Sequence, residues 1–171
     1  MPSGQTHDRI TWIGFPLVSA GTLALTQAWD LAIATGSCFL FSGLMFGPDL
    51  DIVSRQYRRW GYLRWIWLPY QRRLRHRSWL SHGPVIGTVL RVLYLGGWGF
   101  GLLMLVAVFW AIAQGQSWNR YLVWVRPAWT LSPSLLNRLM AMFLGLELGA
   151  MSHSLSDWLV SGWKRLTHSK K

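Results

Sequence analysis

The sequence predicts an all-α, polytopic membrane protein of about four transmembrane helices, with an Arg/Trp-rich interfacial segment between the second and third. Two observations carry that prediction. Of the 171 residues, 51% are hydrophobic and 13% charged, which is too apolar for a soluble domain of this length. The apolar residues also gather in four blocks long enough to cross a hydrocarbon core about 30 Å thick, which takes roughly 20 residues of helix. Length and composition together describe a single membrane domain over residues 1–171.

The charge distribution supports this class. A net charge of +11 in a soluble protein would suggest nucleic acid, but here the basic residues flank the apolar blocks. That is the bias of Lys and Arg towards cytoplasmic loops, so the expected partners are membrane lipids, whose anionic headgroups favour such a face, and not nucleic acid. Cys38 is alone, so no disulfide framework forms within the chain. No secretory signal peptide is expected from the polar opening and the long first block.

Helix one is predicted at about 10–29. Its small residues Gly14, Ser19, Ala20 and Gly21 would admit a close neighbour, and Trp12 and Trp29 stand near its ends as interfacial aromatics do. Asp30 is placed to cap helix two, about 30–46, which stops at Gly47-Pro48. The polar segment 49–82 follows. Eight arginines (Arg55, Arg58, Arg59, Arg64, Arg72, Arg73, Arg75 and Arg77) alternate there with Tyr57, Trp60, Tyr62, Trp65, Trp67 and Tyr70. That mixture predicts a segment lying at the membrane surface. Helix three is expected at about 84–114, and a mixed interfacial stretch over 115–133 carries Trp118, Trp124 and Trp129. Helix four, about 134–160, runs into a basic tail with Lys164, Arg165, Lys170 and Lys171.

Four spans of alternating direction put both termini and the 49–82 segment on one face. That face holds the eight loop arginines and the basic tail, against Arg120, Arg126 and Arg138 on the other, so it is expected to be cytoplasmic. His7 before helix one, Asp49 and Asp51 after helix two, His76 and His82 before helix three, and His153 and Asp157 near the end of helix four all arrive there. His153 and Asp157 are four residues apart and so share a helix face. Of Asp49 and Asp51, one is expected to bind a metal directly and the other to bridge a second ion or orient a histidine. Mixed imidazole and carboxylate donors suit zinc first, and also iron or manganese, in one or two ions. Each residue alone has a plainer reading, as an interfacial histidine, a helix-end charge or an arginine partner; it is their convergence that points to a metal. Glu147 lies within a span, where a carboxylate needs a partner or a role. Arg91, at matching depth, is its expected ion-pair partner, with a further ligand or proton acceptor as the alternative.

The stretches PSGQTHDRIT, GPDLDIVSRQYRRWG, HRSWLSHGPVIGT and LGAMSHSLSDW resemble the predicted metal-binding membrane protein family of cyanobacteria and archaea. They are also similar to the YdjM-like predicted membrane-bound metal-dependent hydrolases. The resemblance runs from Pro2 to Asp157 and implies His7, Asp49, Asp51, His76, His82, His153 and Asp157 as the site. Two departures are present: five residues separate His76 from His82 where about four are expected, and Ser81 stands where a Thr is expected. The wider superfamily is similar to zinc-dependent phospholipase C and related single-strand nucleases, which implies phosphoester hydrolysis. On that footing Asp51 or Asp157 would accept the proton, and Arg75 or Arg77 would hold phosphate oxygens. The other reading is a non-catalytic, metal-stabilised accessory or assembly subunit of a larger membrane complex, and a weaker third is a metal sensor or carrier. Either way the protein is expected in the plasma or thylakoid membrane with both termini cytoplasmic.

Overall fold

The computed structural model describes residues 4–115 and 132–168, with side chains described as far as 161. It is helical, with no strand among the described residues. Four long helices, α1 (Gly4–Thr26), α2 (Trp29–Leu44), α6 (Ile86–Ala113) and α7 (Pro133–His168), carry a cap of short elements. The cap contains a 3-10 turn at Pro48–Asp51, α3 (Arg55–Arg59), a 3-10 helix at Gly61–Trp67, α4 (Leu68–Arg73) and α5 (Trp79–His82). The expected interfacial stretch 115–133 and the side chains of the basic tail fall almost wholly outside the described residues.

Three stretches are long and apolar enough to cross a membrane: Trp29–Asp51, Ile86–Ala113 and Pro133–Ser161. α1 is not among them. It begins at Gly4, not near residue 10, so His7 sits inside its first turn and not ahead of the helix. Asp30 does not cap α2. Ala28 holds the N-cap position, and Asp30 in the first turn pairs instead with Arg138 of α7, Nε to Oδ2 at 3.1 Å.

α2 is the central helix, packed along α1 on one side and α7 on the other. Small residues permit both approaches. A Cβ on Gly36 would strike the Ser19 side chain, and one on Gly145 would strike the Thr35 carbonyl. A Cβ on Gly149 would come within 2.6 Å of the Phe39 carbonyl. Gly145 and Gly149, one turn apart, form the kind of smooth surface that lets two backbones meet in a bilayer. Of the small residues expected to do this in helix one, Gly14 faces Phe39 and Ser19 faces Gly36, whereas Gly21 has nothing within 4 Å.

The C-terminus of α2 is where the cap attaches. The last carbonyls of a helix have no partner within it. Here Gln56 Nε2 donates to Gly43 O (2.9 Å), Arg59 Nη1 to Leu44 O (2.8 Å) and Trp60 Nε1 to Met45 O (2.8 Å). Three side chains of the 49–82 segment thus finish the helix before it. The segment's rings are correspondingly divided. Tyr57, Trp67 and Tyr70 are buried with Phe46 and Leu50 in one cluster, because rings this large gain most by leaving both water and headgroups. Tyr62 and Trp65 remain exposed.

Candidate metal centre

The chain delivers metal-capable side chains from four places to one end of the bundle. The first is the opening turn of α1. Asp8 accepts both guanidinium nitrogens of Arg59 (2.8 and 2.7 Å) and lies 3.0 Å from Arg55, which ties that turn to α3 and points the preceding His7 inwards. The second is the Pro48–Asp51 turn, whose Leu50 and Ile52 carbonyls both accept from Gln71 Nε2 (3.1 and 3.0 Å). The third is the stretch around α5, where Arg77 adopts φ +61°. A non-glycine residue pays for that conformation, and here it reverses the chain between His76 and His82. The fourth is the inner face of α7.

Two groups of ligand atoms result. His7, His153 and Asp157 form one, and Asp49, His76 and His82 the other, each with its atoms within 4.8 Å of one another. In the first, the His7 and His153 rings stack at 3.8 Å between centroids, and His7 Nε2 lies 3.2 Å from Asp157 Oδ1. In the second, the His76 and His82 rings meet edge-on at 5.1 Å. The longer spacing of those histidines therefore does not part them. Asp51, its side chain wholly buried, accepts from His76 Nδ1 at 2.9 Å and lies 3.7 Å from His82 Nδ1. All seven residues expected from the sequence are thus gathered, with Asp51 behind His76.

The donor set fits a cation. Asp49 Oδ1, Asp51 Oδ2, His82 Nε2, both ring nitrogens of His153 and Asp157 Oδ1 are buried without a hydrogen-bond partner. Polar atoms left so cost a few kcal/mol each unless something coordinates them. Burial pushes the His7 pKa down, the adjacent His153 ring adds to the effect, and Asp157 and Asp49 oppose it. A neutral imidazole is the form that binds metal. Residues 2–167 match the family described as uncharacterized metal-binding protein, DUF2227. The chain belongs to this family.

An uncharacterized protein of Aquifex aeolicus (strain VF5) is 34% identical over 67 residues, a stretch covering 39% of this chain and 47% of that protein. The aligned stretch thus spans about half the length of that curated relative. No solved structure matches.

Within this DUF2227 chain, residues unforeseen from the sequence orient the histidines. Ser156 Oγ donates to His153 O (2.8 Å) and lies 2.9 Å from His7 Nδ1. With the hydroxyl proton on that carbonyl, His7 Nδ1 would donate to Oγ and Nε2 would keep its lone pair beside Asp157. Ser81 Oγ stands likewise 2.9 Å from His82 Nδ1, with the Ser78 and Arg75 carbonyls (3.3 and 3.4 Å) as acceptors for its own proton. Position i+3 from a histidine on a helix is the only sequence signal for Ser156, and serines are too common for that to single it out.

Arg77 Nη2 lies 4.0 Å from Asp157 Oδ2, and both Arg77 and Arg75, which flank His76 in the chain, are exposed. The expected Glu147–Arg91 ion pair is absent among the described residues. Glu147 Oε1 accepts from Val85 N (2.9 Å), while Arg91 donates to Ser81 O (2.9 Å) and Thr88 Oγ1 (2.9 Å). Each found a nearer partner at the start of α6, where Val85, at φ +62°, leaves its amide free to donate.

Proposed function

We propose that this protein is a polytopic membrane hydrolase of phosphoesters that uses one or two divalent ions held by His7, Asp49, His76, His82, His153 and Asp157, with Asp51 orienting His76. Zinc is the first choice for that donor set and iron or manganese the alternatives. The observation that carries the reading is the buried convergence of unpartnered imidazole and carboxylate atoms, with the exposed Arg77 within 4.0 Å of Asp157. A carboxylate hydrogen-bonded behind a histidine is the usual support for a metal-binding ring, and His76 with Asp51 has that form.

The ion's contribution when bound is Lewis-acid polarisation of a phosphoryl oxygen and acidification of water. The chain's own residues do the rest. Arg75 and Arg77 present planar guanidinium groups suited to phosphate oxygens. Asp51, the carboxylate outside the ligand set, accepts the proton through Oδ2, its Oδ1 being engaged by His76. The resemblance to YdjM-like hydrolases favours this chemistry over simple metal storage.

The topology we favour has all four long helices crossing the membrane, with the centre and both termini on the cytoplasmic side. α1 runs along α2 and turns Trp12, Ile13, Leu17 and Leu25 outwards, a surface suited to lipid. The arginine-rich cap accompanies the centre on one face, in line with the positive-inside bias. A substrate carried in or on the lipid headgroup layer suits that placement.

One observation favours the second reading, an accessory subunit of a larger membrane complex. Among the described residues, no neighbouring element comes within 4 Å of where a Cβ would stand on Gly96, Gly97, Gly99 or Gly101 of α6, a surface of the sort other membrane helices use. Metal analysis of the detergent-purified protein, followed by phospholipid and phosphodiester assays, separates the two. Turnover that tracks metal content and disappears in Asp157→Asn supports the hydrolase. Stoichiometric metal with no turnover on any substrate would leave the subunit.

A further inference from the structure

We infer that the centre is dinuclear and that Asp49 is its bridging carboxylate, with one oxygen directed at each ion. This rests on the metal-centre reading above and goes beyond it in assigning the number of ions and the residue that joins them.

The geometry lies in the two oxygens of Asp49. Oδ2 is 3.1 Å from His153 Nε2, in the group of His7, His153 and Asp157. Oδ1 is 3.6 Å from His82 Nε2, in the group that contains His76. Two donors on one tetrahedral ion, each about 2.1 Å from it, stand about 3.4 Å apart. The His7–Asp157, His153–Asp49 and His82–Asp49 separations of 3.2, 3.1 and 3.6 Å bracket that value. Their angles are poor for hydrogen bonds, which leaves Asp49 Oδ1, His82 Nε2, His153 Nε2 and Asp157 Oδ1 buried without one among the described residues, and they act as ion pairs only where the imidazole is protonated. His153 is only 4% exposed. A single ion taking four donors would leave the other group's atoms stranded.

The two positions are unequal. His7, His153, Asp157 and Asp49 Oδ2 make four donors, the number of a closed site. His76, His82 and Asp49 Oδ1 make three, the number that leaves a coordination position open. Arg75 and Arg77 flank His76 of this three-donor side in sequence, and Arg77 also lies 4.0 Å from Asp157 of the other side. Asp51 supports only this side, through His76. The arrangement assigns a holding role to the α1–α7 position and a substrate-facing role to the cap position.

Manganese(II) is the probe, loaded into the full chain in detergent, with metal equivalents counted and the electron paramagnetic resonance spectrum recorded. Wild type is expected to hold two equivalents with an exchange-coupled spectrum. His7→Ala and His76→Ala should each retain one equivalent with the simple six-line spectrum of an isolated ion. Asp49→Asn should lose the coupling and bind manganese at least tenfold more weakly. One equivalent in wild type, or two that are uncoupled, overturns the bridge while leaving the metal centre intact. No bound manganese, zinc or iron overturns both. Thermal unfolding of each variant identifies any that fails to fold, and the two histidine variants test the same assignment from opposite sides.

Discussion

Ser156 and His7 are 149 residues apart in the chain, yet Ser156 Oγ lies 2.9 Å from His7 Nδ1. When the hydroxyl proton goes to the His153 carbonyl, this contact favours the His7 tautomer that presents Nε2 to the centre. Removing such a support costs about 10- to 100-fold in metal affinity. Ser156→Ala should therefore weaken zinc binding by about that factor in competition with a chromophoric chelator, with the helix otherwise undisturbed. An affinity equal to wild type would show that His7 is held by packing alone.

Gln71 acts on the other group by holding the backbone. Its amide nitrogen reaches the Leu50 and Ile52 carbonyls, on either side of Asp51. Gln71→Met keeps the volume and removes both bonds. Unmet carbonyl groups cost about 1–3 kcal/mol, so the midpoint of thermal unfolding should fall. Zinc affinity should fall with it, because the turn that aims Asp49 and Asp51 is loosened. A variant that melts earlier yet binds zinc unchanged would mean that the turn holds its shape without Gln71.

Glu147 and Arg91 separate two accounts of one pair of charges. With Glu147 bonded to the Val85 amide, Glu147→Gln preserves an acceptor oxygen and should alter stability by no more than about 0.5 kcal/mol, the usual range for a change that breaks nothing. Arg91→Met should cost about 1–3 kcal/mol, since Arg91 is 1% exposed and its donations to Ser81 and Thr88 are buried. Unfolding in detergent measures both. Equal, large losses in the two variants would restore the ion pair.

What could be read from the sequence follows the kind of information each feature needs. That the chain is helical, with stretches apolar enough to cross a membrane, required only block lengths and composition, and the gathering of His153 with Asp157 required only their four-residue spacing. Partner choice required distances. Arg91 and Glu147 share a depth, but depth cannot say that the Ser81 carbonyl and the Val85 amide lie closer. Trp60 and Trp67 have the composition of interfacial anchors, yet one finishes α2 and the other is wholly buried. His7 was expected ahead of its helix because the apolar pattern begins at Ile10. The helix starts earlier, at Gly4, where Asp8 is held by Arg55 and Arg59 from a distant part of the chain.

The α2–α7 contact should be the least forgiving part of the bundle. A Cβ on Gly149 would stand 2.6 Å from the Phe39 carbonyl and 2.7 Å from Ser42 Cβ, and backbone cannot swing aside as a side chain can. Forcing atoms into such packing costs about 1–3 kcal/mol or more. Gly149→Ala should lower the unfolding midpoint by a corresponding amount. Gly97→Ala, on the bare surface of α6, should leave it unchanged or raised, as alanine is the better helix former. If the two changes proved equivalent, the close approach of α7 to α2 would be in error.

Metal removal should destabilise the whole bundle, because the centre joins α1, α7 and the cap, which touch one another far less than α1 and α7 touch α2. His7 belongs to α1, Asp49 to the Pro48–Asp51 turn after α2, His76 and His82 to the stretch before α6, and His153 and Asp157 to α7. An ion bound only by the folded chain stabilises it by about 2.7 kcal/mol at a free concentration of 100 times its dissociation constant. Stripping it also strands six buried donor and acceptor atoms. Chelation should therefore lower the unfolding midpoint of the wild-type protein, and adding back zinc should restore it. His153→Ala, which removes a ring from the heart of the first group, should start lower and respond less to either treatment. Identical melting of the wild-type protein before and after complete metal removal would show that packing alone holds these elements together, and would confine the metal to chemistry.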